Sequence, residues 1–307
     1  MDLITEKIKK TSLSTKQDRF GKLISITALI LIASVVVLIF GFVISRGLAT
    51  FTTNKVSLGH FLFGTDWNPS VVNKKTGQPG VGALPLIVGS MAVTFLAALV
   101  ATPFAIGTAV FMTEVANKRG AKIMQPVIEL LVGIPSVVYG VIGLTVVVPT
   151  VRAIFGGTGL GILSGTIVLF VMILPTITSM TVDTLKGVPR HYRESALAIG
   201  ATRWQMIQKV ILRAATPGIL TAIVFGMARA FGEALAVQMV IGNAANMPNS
   251  LVSASATLTS VLTMGIGNTV MGSLQNNVLW SLAMILLLMS LVFNILIRFI
   301  GRKGELK

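Results

Sequence analysis

Arg229 and Glu233 are the residues of this chain best placed to act on an ion. They lie four positions apart inside an apolar stretch, Ile219–Ile241, away from both of its ends. On a helix that spacing puts them on one face, one turn apart. An arginine at the centre of a membrane segment is expensive, roughly 2.5–3.5 kcal/mol on insertion scales, and usually faces a cavity or a partner. Its planar guanidinium fork matches a pair of oxygens on a tetrahedral oxyanion. A neighbouring carboxylate can hold the arginine in place or accept a hydrogen bond from a protonated anion. The structural alternative is a self-neutralising pair that only helps helices pack. Gly226 and Gly232 let a second helix or a ligand approach the backbone. Gln238 is a further polar candidate on the segment, out of register with the pair.

Other candidates carry less. Ser136 and Tyr139 follow Pro135 and can donate hydrogen bonds in a translocation path or serve packing equally well. Glu129 opens the third apolar run, as an N-terminal cap or a pathway residue. Glu114 and Asp183 fall at span ends and read as solvated. Without cysteine, disulfides, thiolate metal sites, a thiol nucleophile and a lipid-anchored cysteine are excluded. His60 and His191, the two histidines, lie in loops on opposite sides of the membrane, which argues against a zinc or Ser-His-Asp site. The 14 methionines read as flexible packing. The glycine run Gly156–Gly165 lacks the Lys-Ser/Thr ending of a phosphate loop and reads as a turn.

These residues are carried by a membrane protein. The 307 residues are 53% hydrophobic and 11% charged, and the mean hydropathy is +0.86. Crossing a bilayer takes about 20 mostly apolar residues. Six runs qualify: Leu23–Ile44, Leu84–Phe111 with Pro103 inside, about Val127–Val148 with Pro135, about Ile162–Met180 with Pro175, Ile219–Ile241 and Val278–Ile300. Proline and glycine are tolerated there because neighbouring helices satisfy the freed backbone groups. The first run is too long for a cleavable signal and no small-residue cleavage site follows. The organisation expected is all-α: a basic tail at 1–22 with LSTKQ as its polar part, one six-helix domain at 23–300, and a short tail at 301–307. The loop at 45–83, with FLFGTDWNP (Phe61–Pro69) and TGQPGVGALP (Thr76–Pro85), reads as turns returning the chain to the membrane. The uncharged stretch 242–277 reads as short helices or a re-entrant hairpin packed on protein.

The net charge of +15 is distributed as the positive-inside rule requires. With the N-terminus inside, Lys and Arg number 19 in the inner segments and five in the outer ones; Arg229 is the remaining one of 25. The basicity is thus explained without nucleic acid. Both termini are expected in the cytoplasm.

The inner loop at about 186–216 has its own pattern. Pro189 suits a helix's first turn, RHYRESALAI runs to a glycine stop at Gly200, and Thr202 with Gln205 has capping-box spacing. Trp204, Ile207, Val210 and Ile211 form one apolar stripe, with Arg203, Gln208 and Lys209 away from it. Two short helices about a tight turn make a knob that can enter a groove on a partner. The alternative is an amphipathic connection lying on the membrane.

RESALAIG (Arg193–Gly200) resembles the EAA coupling loop of ABC-transporter permeases, matched at Glu194, Ser195, Ala196 and Gly200. Leu212-Arg213 stands where the family usually has Leu-Pro. IELLVGIPSVVYG (Ile128–Gly140), RESALAIGATRW (Arg193–Trp204) and GMARAFGEALAVQMVIGNA (Gly226–Ala244) occur in the family's order and resemble permease subunits of high-affinity phosphate importers. FLFGTDWNP in a long first outer loop favours the PstC type over its PstA-type partner. The resemblance implies a type I importer permease in a bacterial cell membrane, with no cofactor of its own. It implies a second, PstA-type permease, a dimer of cytoplasmic ATPase subunits that bind ATP and Mg, and an extracellular phosphate-binding protein. It further implies that Glu194, Ser195, Ala196, Gly200, Thr202 and Trp204 engage the ATPase, while Arg229, Glu233, Gln238, Ser136 and Tyr139 line the path. A permease for sulfate, molybdate or phosphonate is the near alternative. An ion-coupled secondary transporter with Glu233 as proton carrier is the distant one.

Overall fold

The computed structural model describes residues 13–72 and 79–302. Thr76–Gln78 of the glycine-rich loop stretch and the outer parts of both terminal tails lie outside the described residues. Six helices are long and apolar enough to cross a membrane. The chain enters through α1 (Leu13–Thr52), so the latter half of the expected basic tail is already helical. The apolar middle of α1, Leu29 to Leu38, is exposed, as on a lipid-facing or partner-facing helix. Its outer part is fastened to the last helix. The Ser281 hydroxyl donates to Gly47 O at 2.7 Å and lies 2.7 Å from Thr50 Oγ1.

The first loop holds α2 (Leu58–Phe63) and an antiparallel hairpin of β1 (Trp67–Val72) and β2 (Pro79–Val81). The fold is therefore helical apart from this one hairpin among the described residues. Phe61 of the FLFGTDWNP block is fully buried, so the block anchors the loop as well as turning it.

Then α3 (Leu84–Val110) starts on Pro85 and ends in a π-helical turn, Phe111–Val115. Ala97, Ala101, Ala105 and Ala109 repeat every four residues on α3 and have no exposure. This small-residue stripe lets α7 (Ile162–Gly187) lie close against α3.

The third span begins later than the hydropathy suggests. An amphipathic helix, α4 (Lys118–Gly133), ends before Ile134-Pro135, and the span itself is α5 (Ser136–Ile142), a π-helical segment (Gly143–Val147) and α6 (Val148–Phe155). Pro135 has no N–H to give and disfavours helical geometry at the residue before it; Ile134 is extended. Glu129 thus lies in the C-terminal half of α4, where its carboxylate accepts from Gln125 Nε2 at 2.9 Å rather than capping the span. The glycine run is a turn with positive φ at Gly156, Gly157 and Gly159.

After α8 (Arg190–Ala198), a continuous helix runs from Arg203 to Phe231: α9 (Arg203–Gln205), a π-helical segment (Met206–Ile211) and α10 (Leu212–Phe231). Pro217 lies inside it without ending it. The fifth span breaks at Gly232–Ala234 and resumes as α11 (Leu235–Val240). The stretch 242–277 packs on the bundle through α12 (Leu258–Ile266), whose first N–H donates to Ser90 Oγ at 2.8 Å. The last span is α13 (Leu274–Arg302).

Candidate anion site and coupling surface

The break in the fifth span changes how Arg229 and Glu233 relate. Arg229 occupies the last turn of α10, where the carbonyl end of a helix favours a cation. Glu233 lies in the break, and its Oε1 accepts from Ala236 N at 3.2 Å at the start of α11. Each charge is matched to a helix end, and among the described residues no ion pair joins the two. The expectation of one shared helix face therefore fails, because the helix that would carry both ends between them. The freed backbone groups are satisfied locally. Gly232 N donates to Ala228 O at 3.2 Å, Glu233 N to Ala230 O at 3.2 Å, and the Thr259 hydroxyl donates to Glu233 O at 2.8 Å. An irregular backbone is tolerated at depth on those terms.

Arg229 is half-buried and its Nη1 donates to Thr176 Oγ1 on α7. It also lies within electrostatic reach of the Tyr139 hydroxyl. Tyr139 is 7% exposed, and its hydroxyl donates to Leu131 O at 2.8 Å, tying α5 back to α4. So the structure joins Arg229 to Thr176, while the Tyr139 hydroxyl is committed to Leu131 O; Thr176 was not foreseen, and the signal available was a hydroxyl directly after Pro175 in an apolar run. Ser136 is half-buried at the start of α5. Gln238 lies on α11, which crosses α5 closely: a Cβ on Gly140 would meet Ala236 Cα at 3.0 Å and Met239 Sδ at 2.7 Å. The side-chain Oε1 of Gln238 is buried without a hydrogen-bond partner. Gly226 packs on Ile177 of α7, so it serves helix approach, whereas a Cβ on Gly232 would meet only Ala228 O at 3.7 Å and Arg229 O at 3.8 Å, ordinary contacts with the last turn of α10. A groove of about 780 Å³ lies between α10, α1, α12 and α13 and is lined mostly by apolar side chains. Arg229 does not line it.

The inner loop folds as two helices about a glycine turn. Gly200 has φ +85°, the left-handed geometry a side chain resists. Its N–H donates to Leu197 O at 3.0 Å and Ala201 N to Ala196 O at 3.1 Å, closing α8. Thr202 and Gln205 form the expected capping box, at 3.2 and 2.9 Å. Ala196, Met206, Ile207 and Ile211 are buried in a second core with the ends of α3, α4 and α7. The expected stripe is only partly inward: Trp204 is 63% exposed, near the turn that carries Ile199 at 87%. Glu194 and Ser195 are exposed as well. The turn thus presents an apolar tip with a carboxylate on the preceding helix.

Glu114 is the sharpest correction. Its side chain is 6% exposed and paired with Arg193 at 2.7 Å, not solvated. Asp183 is exposed as expected. The sequence offered no signal for the Glu114 pairing, since the partners lie 79 residues apart.

Residues 101–304 match the family described as binding-protein-dependent transport system inner membrane component. A probable ABC transporter permease protein, YqgH, of Bacillus subtilis (strain 168) is 52% identical over 285 residues, 92% of this chain and 90% of the relative. The phosphate transport system permease protein PstC of Pasteurella multocida (strain Pm70) is 34% identical over 252 residues, 76% of each chain. The crystal structure of a bacterial ABC transporter involved in the import of the acidic polysaccharide alginate superposes with TM-score 0.61 over 95% of this chain and 99% of that one, at 16% identity, a likeness of fold alone. With its six spans and this match across two thirds of its length, the chain belongs to the binding-protein-dependent transport system inner membrane components and is a multi-pass ABC importer permease with the type I fold.

Proposed function

We propose that this chain is the PstC-type subunit of an ATP-driven phosphate importer and that Arg229 meets the anion in transit. The observation that carries the reading is a membrane-embedded guanidinium with no carboxylate partner among the described residues, held by the neutral Thr176 hydroxyl. Such a cation favours an anion that can take its fork bidentately. The PstC relatives supply the choice of phosphate among oxyanions. Tyr139, Ser136 and Gln238 line the same path, and Glu233 fixes the helix break that sets the height of Arg229. The chain works with a PstA-type permease, a dimer of ATPase subunits that bind ATP and Mg, and an extracellular phosphate-binding protein. It has no cofactor of its own and no nucleic-acid partner. Its termini lie in the cytoplasm, and α8–α9 engage the ATPase through Glu194, Ser195, Gly200, Thr202 and Trp204, while Ala196, which is buried, seats α8 on the helix that follows.

The test is uptake by the assembled importer in proteoliposomes. Phosphate is taken up in preference to sulfate, molybdate and phosphonate. Arg229→Gln abolishes uptake while the ATPase still co-purifies, and Arg229→Lys, which keeps charge but loses the fork, loses most of it. Normal phosphate uptake by Arg229→Gln removes the site, and preference for another oxyanion removes the substrate. Uptake by this chain without an ATPase removes the ATP-driven reading.

A further inference from the structure

We propose that Arg193 and Glu114 form the tether through which the coupling helix moves the spans, with Arg193 a positioning residue for transport; this rests on α8–α9 being the ATPase-coupling loop. Arg193 is the best-bonded side chain of α8. Its Nε donates to both Glu114 oxygens at 3.2 and 3.3 Å and its Nη2 to Oε1 at 2.7 Å. The remaining donors reach Val188 O at 2.8 Å and Leu185 O at 3.0 Å.

One guanidinium therefore joins three elements. Glu114 sits in the π-helical turn that ends the second span. Leu185 lies in the last turn of α7 and Val188 just follows it, at the end of the fourth span. Arg193 itself belongs to the helix that leads into the exposed tip. The packing of α8 is otherwise mainly on the helix that follows it, where Ala196, its one buried residue, meets Met206 and Ile207. The backbone at Val188–Pro189 already joins α8 to α7, so what this side chain adds is delivery of an α8 displacement to the end of α3 at Glu114, locked in step with the end of α7. The same helix, α7, carries Thr176, which holds Arg229. The pair is well shielded, at 22% and 6% side-chain exposure, so it is screened little by salt, and removing one partner strands the other charge.

The experiment uses the complete importer in proteoliposomes and reads phosphate moved per ATP hydrolysed, together with ATPase retention on purification. Glu114→Gln and Arg193→Gln each lower that ratio about fivefold or more, with the ATPase still bound. The double variant is no worse than either single, because the interaction is already gone. Arg193→Lys recovers part of the ratio, since it keeps the charge without the fork. An unchanged ratio in the single variants overturns the proposal. So does loss of ATPase retention with uptake and hydrolysis falling together, which is what a merely structural pair would give. Gly200→Val is run alongside. If it leaves uptake and ATPase retention normal, the coupling-loop reading fails and the tether with it. If it impairs both while Glu114→Gln keeps the wild-type ratio, the tether alone fails.

Discussion

At the scale of single residues, the decisive fact about Arg229 is what holds it. A carboxylate at bonding distance would neutralise it and compete with an incoming anion; a hydroxyl orients it and leaves its charge free. Thr176 supplies that hydroxyl from α7 and is itself 7% exposed. A hydrogen bond to a charged group contributes about 1.5–3 kcal/mol. Thr176→Val keeps the branched shape and deletes the acceptor. The expected outcome is a rise of at least about tenfold in the KM for phosphate uptake, with ATPase retention unchanged. An unaltered KM in transport assays would show that the hydroxyl does not position the guanidinium.

At the scale of elements, the candidate site residues sit where helices are interrupted. Pro135 separates the amphipathic α4 from the third span, and the Gly232–Ala234 break separates α10 from α11. The two resumed helices, α5 and α11, then cross at Gly140. A side chain there would press on backbone at Ala236 as well as on the movable Met239 sulfur. Overpacking of this kind costs about 1–3 kcal/mol. Gly140→Leu should therefore lower the thermal stability of the purified permease, while Gly133→Ala, whose added Cβ meets nothing within 4 Å, should change it little. Equal effects of the two would mean that this crossing does not constrain the fold.

The interruptions also explain which expectations held. Six apolar runs, the glycine turn at Gly200 and the capping box at Thr202 are local patterns, and each has a local cause that the structure reproduces. The break after Arg229 is different. Gly232 and Glu233 lie within a run apolar enough to continue as helix, and the carbonyl freed at Glu233 is satisfied from afar, by the hydroxyl of Thr259, 26 residues further on. Likewise Glu114 looked solvated because its partner arrives from another loop. Trp204 fell on the apolar stripe by spacing, yet π-helical geometry from Met206 shifts the buried face to Met206, Ile207 and Ile211. Long-range partners and changes of helical pitch leave no periodic trace.

At the scale of the whole molecule, parity of spans fixes relative sidedness. With six spans, the start of α1, the loop after α3, the α8–α9 turn and the end of α13 all share one side. The Arg193–Glu114 bond is an independent check, because it joins the end of the second span to the loop after the fourth. The loop at 242–277 must then lie opposite, next to the hairpin of the first loop, where Gln275 Nε2 donates to Ser70 Oγ at 3.2 Å. Which side is cytoplasmic is proposed from charge. The basic residues concentrate on the coupling side and 242–277 has none, a distribution that by the positive-inside rule favours the coupling side as the inner one. The absence of native cysteine allows a direct measurement. Gln208 and Asn246 are both exposed on opposite sides. In intact cells an impermeant thiol reagent should label Asn246→Cys, and label Gln208→Cys only after the membrane is opened. Labelling of Gln208→Cys from outside would invert the orientation, place α8–α9 beyond the reach of any cytoplasmic ATPase, and remove the coupling role of Glu194, Gly200 and Trp204 together.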